Sequence, residues 1–307
     1  MAACPLEDRF VAAMVLGAVG DAMGYKNGMW EVCRLGVTIH SEVEKLGGVS
    51  ALNLTRRDFM VSDDTVLHIA TAEALVSEWK DKETLYRTIA QKYIDGCRDM
   101  SGRAPGRATL EGVRKLRPKV HEGYRIPYTP RGGGCGAAMR SAPIGLRFYR
   151  PAGAVGRSGG GGALFVSYSI QRRPINSWGK GLMDTLPVAW KYVEKTGKDV
   201  EQNREDWSYF EKRWADYLEE RNLTDGNGHD APMIAYDALL GAGTSWEELC
   251  LRGVLHGGDN DSTGIIAGSC WGAMYGFEGV PEVNYKNLEY KDHLVALGKK
   301  LCGGTQL

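Results

Sequence analysis

Residues 259–276 read DNDSTGIIAGSCWGAMYG. An acidic, hydroxyl-rich start followed by an unbroken run of small and apolar residues predicts a helix from Asp259 to about Gly276. Just upstream, Ser245-Trp246-Glu247-Glu248 has the spacing of a capping box, which predicts a helix running to about His256. Gly257-Gly258 breaks the chain between the two. Further back, Asp230-Ala231-Pro232 precedes Met233, Ile234, Ala238 and Leu239. A cap residue before an early-turn proline predicts a third helix there.

The rest of the chain reads in the same way. Residues 6–24 form an apolar, Ala/Gly-rich run, a buried helix. Ser62-Asp63-Asp64-Thr65 leads into Val66, Ile69, Ala70 and Leu75 at helical spacing, with acidic residues where the helix dipole favours them. Residues 83–99 continue in this manner, and residues 205–221 carry the stripe Trp207, Phe210, Trp214 and Leu218, read as core packing. Sustained alternation of apolar and polar residues is scarce, so the fold class is all-α. Gly17, Gly20, Gly264, Gly268 and Gly272 lie inside these helical runs. A mid-helix glycine costs roughly 1 kcal/mol relative to alanine, so these predict helices packed at very short range or backbone approaching a ligand. Two segments differ: residues 152–163, AGAVGRSGGGGA, read as a flexible linker that buries no core, and residues 225–228 are a very short polar junction.

With 307 residues the chain fits one large domain or two moderate ones. Its 38 basic and 38 acidic residues balance, so no global field draws it to nucleic acid or to an anionic membrane. No stretch of 18 apolar residues and no secretory leader pattern is visible. The seven cysteines form no C-x-x-C pair, which points to a reducing compartment with the cytoplasm as the default address.

Two clusters concentrate hard oxygen ligands: Ser62-Asp63-Asp64-Thr65 and Asp259-Asn260-Asp261-Ser262-Thr263. A single Asp or Ser at such a place is read as a helix cap. Paired carboxylates exceed what a cap needs, and brought together without a cation they would repel and resist ionisation. Carboxylate and hydroxyl oxygens suit Mg²⁺, Mn²⁺ or Ca²⁺ rather than zinc. Together they indicate a hydrolase site for one or two metal ions, provided that the clusters meet in space. Gly132-Gly133-Gly134-Cys135-Gly136 opens a further helix and reads either as an anion cradle or as a tight turn. It lacks the lysine of a P-loop and the preceding strand of a dinucleotide-binding unit. Gly102-Arg103-Ala104-Pro105-Gly106 reads as a plain loop or, less readily, as a ligand contact; Glu31 reads as a surface acid, and His229, beside Asp230, either as a ligand contact or as a histidine satisfied at a helix entry. Neither a Ser-His-Asp signature nor a GxSxG elbow is present.

Taken together, residues 61–68 (VSDDTVLH), 132–140 (GGGCGAAMR), 228–237 (GHDAPMIAYD), 256–263 (HGGDNDST) and 20–24 (GDAMG) resemble the ADP-ribosylglycohydrolase family, and within it the ADP-ribosylarginine hydrolase branch. The resemblance spans nearly the whole chain in order. It implies a single domain, 1–307, built as a compact orthogonal helical bundle with two Mg²⁺ ions in a central cleft. Ser62, Asp63, Asp64, Asp259, Asp261 and Ser262 would coordinate them. Glu31 would lie near the cleft and join Asp63 and Asp64 as a catalytic group. The Gly-rich loops, at Gly102, Arg103, Gly133, Gly134, Cys135, Gly136, Gly228 and His229, would hold ADP-ribose. In two places the chain departs from the family pattern. Residues 152–163 stand where the family has a longer helical stretch, and almost nothing remains of an insertion between Asp225 and Gly228.

The implied reaction is hydrolysis of the bond between ribose and an arginine guanidinium on a protein, releasing ADP-ribose through an oxocarbenium-like transition state. Magnesium would fix the sugar and lower the pKa of water, with Asp63 or Asp64 orienting or deprotonating that water. The implied partners are ADP-ribosylated proteins and ADP-ribose, and the chain would act as a monomer. Two other readings are a weakly active or inactive ADP-ribose-binding relative and a generic two-metal phosphoesterase.

Overall fold

The computed structural model describes residues 4–129, 133–150, 161–220 and 231–304. Among these it holds fourteen α-helices and no strand. In chain order they are α1 (Leu6–Tyr25), α2 (Gly36–Lys45), α3 (Asp63–Val76), α4 (Lys82–Gly96), α5 (Arg107–Lys115), α6 (Gly136–Met139), α7 (Ala142–Arg147), α8 (Gly161–Ile170), α9 (Trp178–Thr196), α10 (Val200–Glu220), α11 (Ala231–Ala242), α12 (Trp246–Gly253), α13 (Asn260–Tyr275) and α14 (Lys291–Gly303). Among the described residues, no helix is long and apolar enough to cross a membrane.

The centre of the bundle is α1 against α13. Every residue of α1 from Arg9 to Tyr25 is buried, as is every residue of α13 from Asn260 to Met274. Their glycines set the distance between them. A Cβ on Gly20 would stand 2.1 Å from the Gly264 carbonyl oxygen, and one on Gly268 would stand 2.1 Å from that of Leu16. The helices touch backbone to backbone, which accounts for the mid-helix glycines. On its other side α1 meets α14, where Gly298 faces the backbone of Phe10 and Val11. The buried Arg9 donates from Nε to the Ala273 carbonyl at 2.7 Å and from its terminal nitrogen to Ser169 and Ile170 at 2.9 and 2.8 Å. It thereby satisfies carbonyls at the C-terminal ends of α8 and α13, which have no partner within their own helices.

Gly268→Ala tests this packing. Alanine is the better helix former by about 1 kcal/mol, yet the added methyl would displace backbone rather than a flexible side chain. The expected result is a loss of about 1–3 kcal/mol in denaturant unfolding. A gain in stability would mean that the two helices can separate freely.

The structure corrects several expectations. Ser245 does cap α12, its Oγ accepting from the Glu248 N–H at 3.2 Å, but the helix ends at Gly253 rather than His256. Val254 leaves helical geometry, and Gly257, at φ 85°, brings the loop against Gly36. Of the Gly-rich stretch, residues 152–160 lie outside the described residues, whereas Gly161, Gly162 and Ala163 are buried in α8. A Cβ on Gly162 would stand 2.8 Å from the Ala138 carbonyl oxygen. These last glycines therefore serve close packing and not flexibility. The junction 225–228 also falls outside the described residues. In the aromatic stripe, Trp214 is buried against Phe165 and Tyr236, Trp207 and Phe210 are half-buried, and Leu218 is at the surface.

Candidate active site

The acidic segment at the start of α3 would need caps for its free N–H groups, and these come from elsewhere. The Ser62 Oγ accepts from the Asp64 N–H at 3.1 Å, and the Arg103 carbonyl accepts from the Asp63 N–H at 3.1 Å. The carboxylate of Asp21, fully buried on α1, accepts from the N–H groups of Ser62 and Thr65, each at 3.1 Å, and from the Thr65 hydroxyl. None of these four backbone donors relies on the side chains of Asp63 or Asp64. The capping interpretation therefore does not account for those two carboxylates, which face a cleft instead.

Across that cleft stands the second cluster. Asp259 precedes α13 and its side chain makes no cap bond. Asn260 is fully buried and braces the loop, accepting from the Gly257 N–H at 3.0 Å and donating to the Trp30 carbonyl at 2.8 Å. It thereby ties the turn carrying Glu31 to the start of α13. The Ser262 hydroxyl donates to Asp64 Oδ2 at 2.8 Å, joining clusters 198 positions apart in the chain. The cleft has a volume of about 1260 Å³, and Glu31, Asp63, Asp64, Asp259, Asp261 and Ser262 all line it.

These acids carry unbalanced charge. Burial pushes the Glu31 carboxyl up to about 7, with Asp259 and Asp63 adding to the effect. Burial and Asp21 likewise raise Asp63 to about 7, opposed by the Arg140 guanidinium. Asp64 and Asp261 lie well above the usual carboxylate range, first through burial and then through their acidic neighbours. Among the described residues, no three His, Cys, Asp or Glu side chains stand close enough together to hold a metal ion between them. The acids instead line an open floor, with oxygen donors of the type that hard divalent cations take. Mutual repulsion among buried carboxyls is relieved by such a cation, so the donor chemistry of these residues suits a divalent metal ion.

A pH dependence follows for the cation-free protein. The raised carboxyls stay protonated in the fold and ionise in the unfolded chain from about pH 4 upward. Their contribution to stability is therefore present at low pH and is lost as pH rises through about 7. It continues to fall above that for Asp64 and Asp261. His68 and His256, both held down to about 4 by burial, act in the opposite sense, but only below their unfolded value of about 6.5. Cation-free protein should accordingly melt lower at pH 8 than at pH 6.5, with Mg²⁺ stabilising it more at pH 8. Equal cation-free melting at the two pH values would contradict this charge balance.

The remaining predicted residues divide. Gly134, Cys135 and Gly136 line the cleft, and Cys135 Sγ lies 2.9 Å from the Ser262 hydroxyl. Burial pushes the Cys135 thiol up, which keeps it protonated and unsuited to nucleophilic attack. The helix these glycines open, α6, is a single turn, too short to supply the dipole that an anion cradle draws on. Among the described residues a Cβ on Gly133 or Gly134 would touch nothing, so packing does not require those glycines. Ser62 is fully buried and serves as a helix cap.

Gly102 and Arg103 are not among the residues that line the cleft. Gly102 has φ 76°, a backbone requirement for glycine. Arg103 is fully buried, and its guanidinium donates to both Glu289 oxygens at 2.8 and 3.1 Å and to the Val61 carbonyl at 2.6 Å. It supports the wall from behind, and Ala104 and Gly106 are the cleft-lining members of that loop. Gly228 and His229 fall outside the described residues. Sequence reasoning gave no role to Asp21 or Arg140. Arg140 lines the cleft, donates to Thr109 Oγ1 at 3.1 Å and lies 5.0 Å from the Tyr93 ring centre. An aspartate within residues 10–25, a run with no other charged residue, was the available signal for Asp21.

Known proteins share this chain's pattern. The family model described as ADP-ribosylglycohydrolase matches residues 4–307. The protein named ADP-ribosylhydrolase ARH1 of Dictyostelium discoideum is 36% identical over 363 aligned residues, covering 94% of this chain and 92% of that one. That alignment is longer than the 307-residue chain, so the relative holds stretches that this chain lacks. An uncharacterized protein of Archaeoglobus fulgidus is 24% identical, with 96% of each chain covered. A solved structure described as an ADP-ribosylglycohydrolase-related protein complex superposes with a TM-score of 0.61 at 20% identity, covering 97% of this chain and 98% of that one. It shows the same all-α fold.

Proposed function

The chain belongs to the ADP-ribosylglycohydrolase family, and from that premise we propose that it hydrolyses the N-glycosidic bond between ADP-ribose and arginine side chains of proteins, with Mg²⁺ as its cofactor. The observation that carries this is the Ser262–Asp64 hydrogen bond, which brings the two acidic helix starts together on one cleft floor. Arginine as the linkage rests on the sequence resemblance to that branch of the family. Two Mg²⁺ ions would be held by Asp63, Asp64, Asp259, Asp261 and the Ser262 hydroxyl. When bound, they supply Lewis acidity at the ribose hydroxyls and at the attacking water.

The chain's own residues do the rest. Glu31, Asp63 and Asp64 are the carboxylates able to orient water at the anomeric carbon and to take its proton. Glu31, which lines the cleft and is not among those cation ligands, is the carboxylate left free to exchange a proton when the cation is bound. The bare backbone at Gly134 leaves room for the diphosphate to approach, and Val113 on α5 with Leu116 just beyond it gives the cleft wall an apolar patch that suits an adenine ring. The volume of about 1260 Å³ accommodates ADP-ribose together with the guanidinium end of an arginine.

The test compares two substrates, one protein ADP-ribosylated on arginine and one on serine. Release from arginine alone is expected. Release from serine alone would move the specificity to another linkage. The stretches that the Dictyostelium relative has and this chain lacks favour one second reading, a binding protein with little turnover. Under that reading ADP-ribose raises the melting temperature while neither substrate is cleaved.

A further inference from the structure

We propose that Asp21 is a positioning residue for the divalent-cation site: through it, α1 sets the distance between the acidic start of α3 and the acidic start of α13. The inference rests on the cation reading above and concerns a residue that no part of that reading uses. Three consecutive contacts along residues 20–24 support it. Gly20 meets the backbone of Gly264, and Gly24 meets that of Asn260, with a Cβ there only 2.4 Å from the Asn260 carbonyl oxygen. These two contacts fix α1 to the first turns of α13, where Asp259 and Asp261 stand. Between them Asp21 turns the other way and accepts the N–H groups of Ser62 and Thr65 at 3.1 Å and the Thr65 hydroxyl. The same short segment therefore grips both acidic helix starts, one through backbone contact and the other through a carboxylate.

The choice of carboxylate is informative. A charge at full burial among acids carries a penalty, and Asp21 adds to the repulsion on Asp63, Asp64 and Asp261. Its two oxygens face three donors, all on the Ser62–Thr65 segment. A neutral amide has one acceptor oxygen and would turn its NH₂ toward one of those donors. The segment would shift, and with it Asp63 and Asp64. Partners that orient metal-ligating groups typically account for 10–100-fold in affinity.

The experiment is calorimetric titration of the full chain with MgCl₂, alongside turnover at graded Mg²⁺. Asp21→Asn is expected to weaken Mg²⁺ binding at least ~10-fold, while turnover at saturating Mg²⁺ recovers most of the wild-type value. A merely structural loss would lower turnover at every Mg²⁺ concentration without moving the midpoint. Thr65→Val removes only the hydroxyl donor and should move the midpoint by a smaller factor, and Thr65→Ser, which keeps that donor, should restore it. If Asp21→Asn does not fold, this second pair decides the matter. Wild-type binding that neither Asp21→Asn nor Thr65→Val weakens overturns the inference alone. A wild-type chain that takes up no Mg²⁺ overturns the cation reading, and the inference with it.

Discussion

Asp261→Asn is expected to lower turnover at least ~100-fold and, in the absence of cation, to raise the melting temperature. The two effects have one cause. Asp261 is buried at the cleft floor, with Asp64, Asp259 and Asp21 all acting against its ionisation. Its Oδ1 already accepts the N–H of Ser262 at 3.0 Å, and an asparagine oxygen can do the same. The fold therefore keeps its local bond and no longer has to hold protonated a carboxyl that ionises in the unfolded chain. The cation site loses a charged donor, and Mg²⁺ should no longer raise the melting temperature. Opposed changes in stability and activity mark a group kept for function at a cost to the fold. Turnover assays and thermal melts with and without Mg²⁺ read both. Retained turnover in this variant would count heavily against placing Asp261 at the metal.

Glu289→Ala should cost about 3–5 kcal/mol of folding stability, because it leaves a buried guanidinium without its main counter-charge. Arg103 is fully buried and Glu289 nearly so. The pair is joined through both carboxylate oxygens, with Arg56 adding a bond at 3.0 Å and the Val61 N–H another at 3.3 Å. The half-exposed Asp99, 3.3 Å from Arg103, offsets only part of the loss. Val61 directly precedes the Ser62–Thr65 segment, so the variant should also raise the Mg²⁺ requirement. Replacing both partners with methionine should be milder than Glu289→Ala alone, since no charge is then left unpaired. Denaturant unfolding of the single and double variants checks this, and a single variant within 1 kcal/mol of wild type would contradict it.

The helices that were legible in the sequence carry their own signals. Asp259 through Gly276 joins an acidic start to an unbroken apolar run, and α13 follows it closely. α3 was legible for the same reason. α9 was not, because Gly179, Gly181 and Pro187 interrupt its pattern. There Gly179 and Gly181 face Leu218 and Tyr168, so tertiary contacts decide what propensity would oppose. Composition alone misread Gly161 and Gly162, since a glycine chosen for close packing and one chosen for flexibility look identical in sequence.

The site was legible as two clusters and not as one. Oxygen-rich helix starts can be read locally, whereas the bond between Asp64 and Ser262 depends on how α1 holds α3 and α13. The same limit explains Arg103. Gly102-Arg103-Ala104-Pro105-Gly106 announces a loop, but nothing in it says that the arginine points inward to Glu289. Asp21 was visible as part of a resembling motif, yet its partners lie more than 40 positions away and had no local signature.

The most direct test of the account is release of ADP-ribose from a protein modified on arginine, measured with Mg²⁺, with EDTA, and with Mg²⁺ restored in excess. Convergent carboxylates that act through a bound cation predict release that EDTA abolishes and Mg²⁺ brings back. Release that continues at full rate in EDTA, or ADP-ribose binding with no release under any condition, would contradict it.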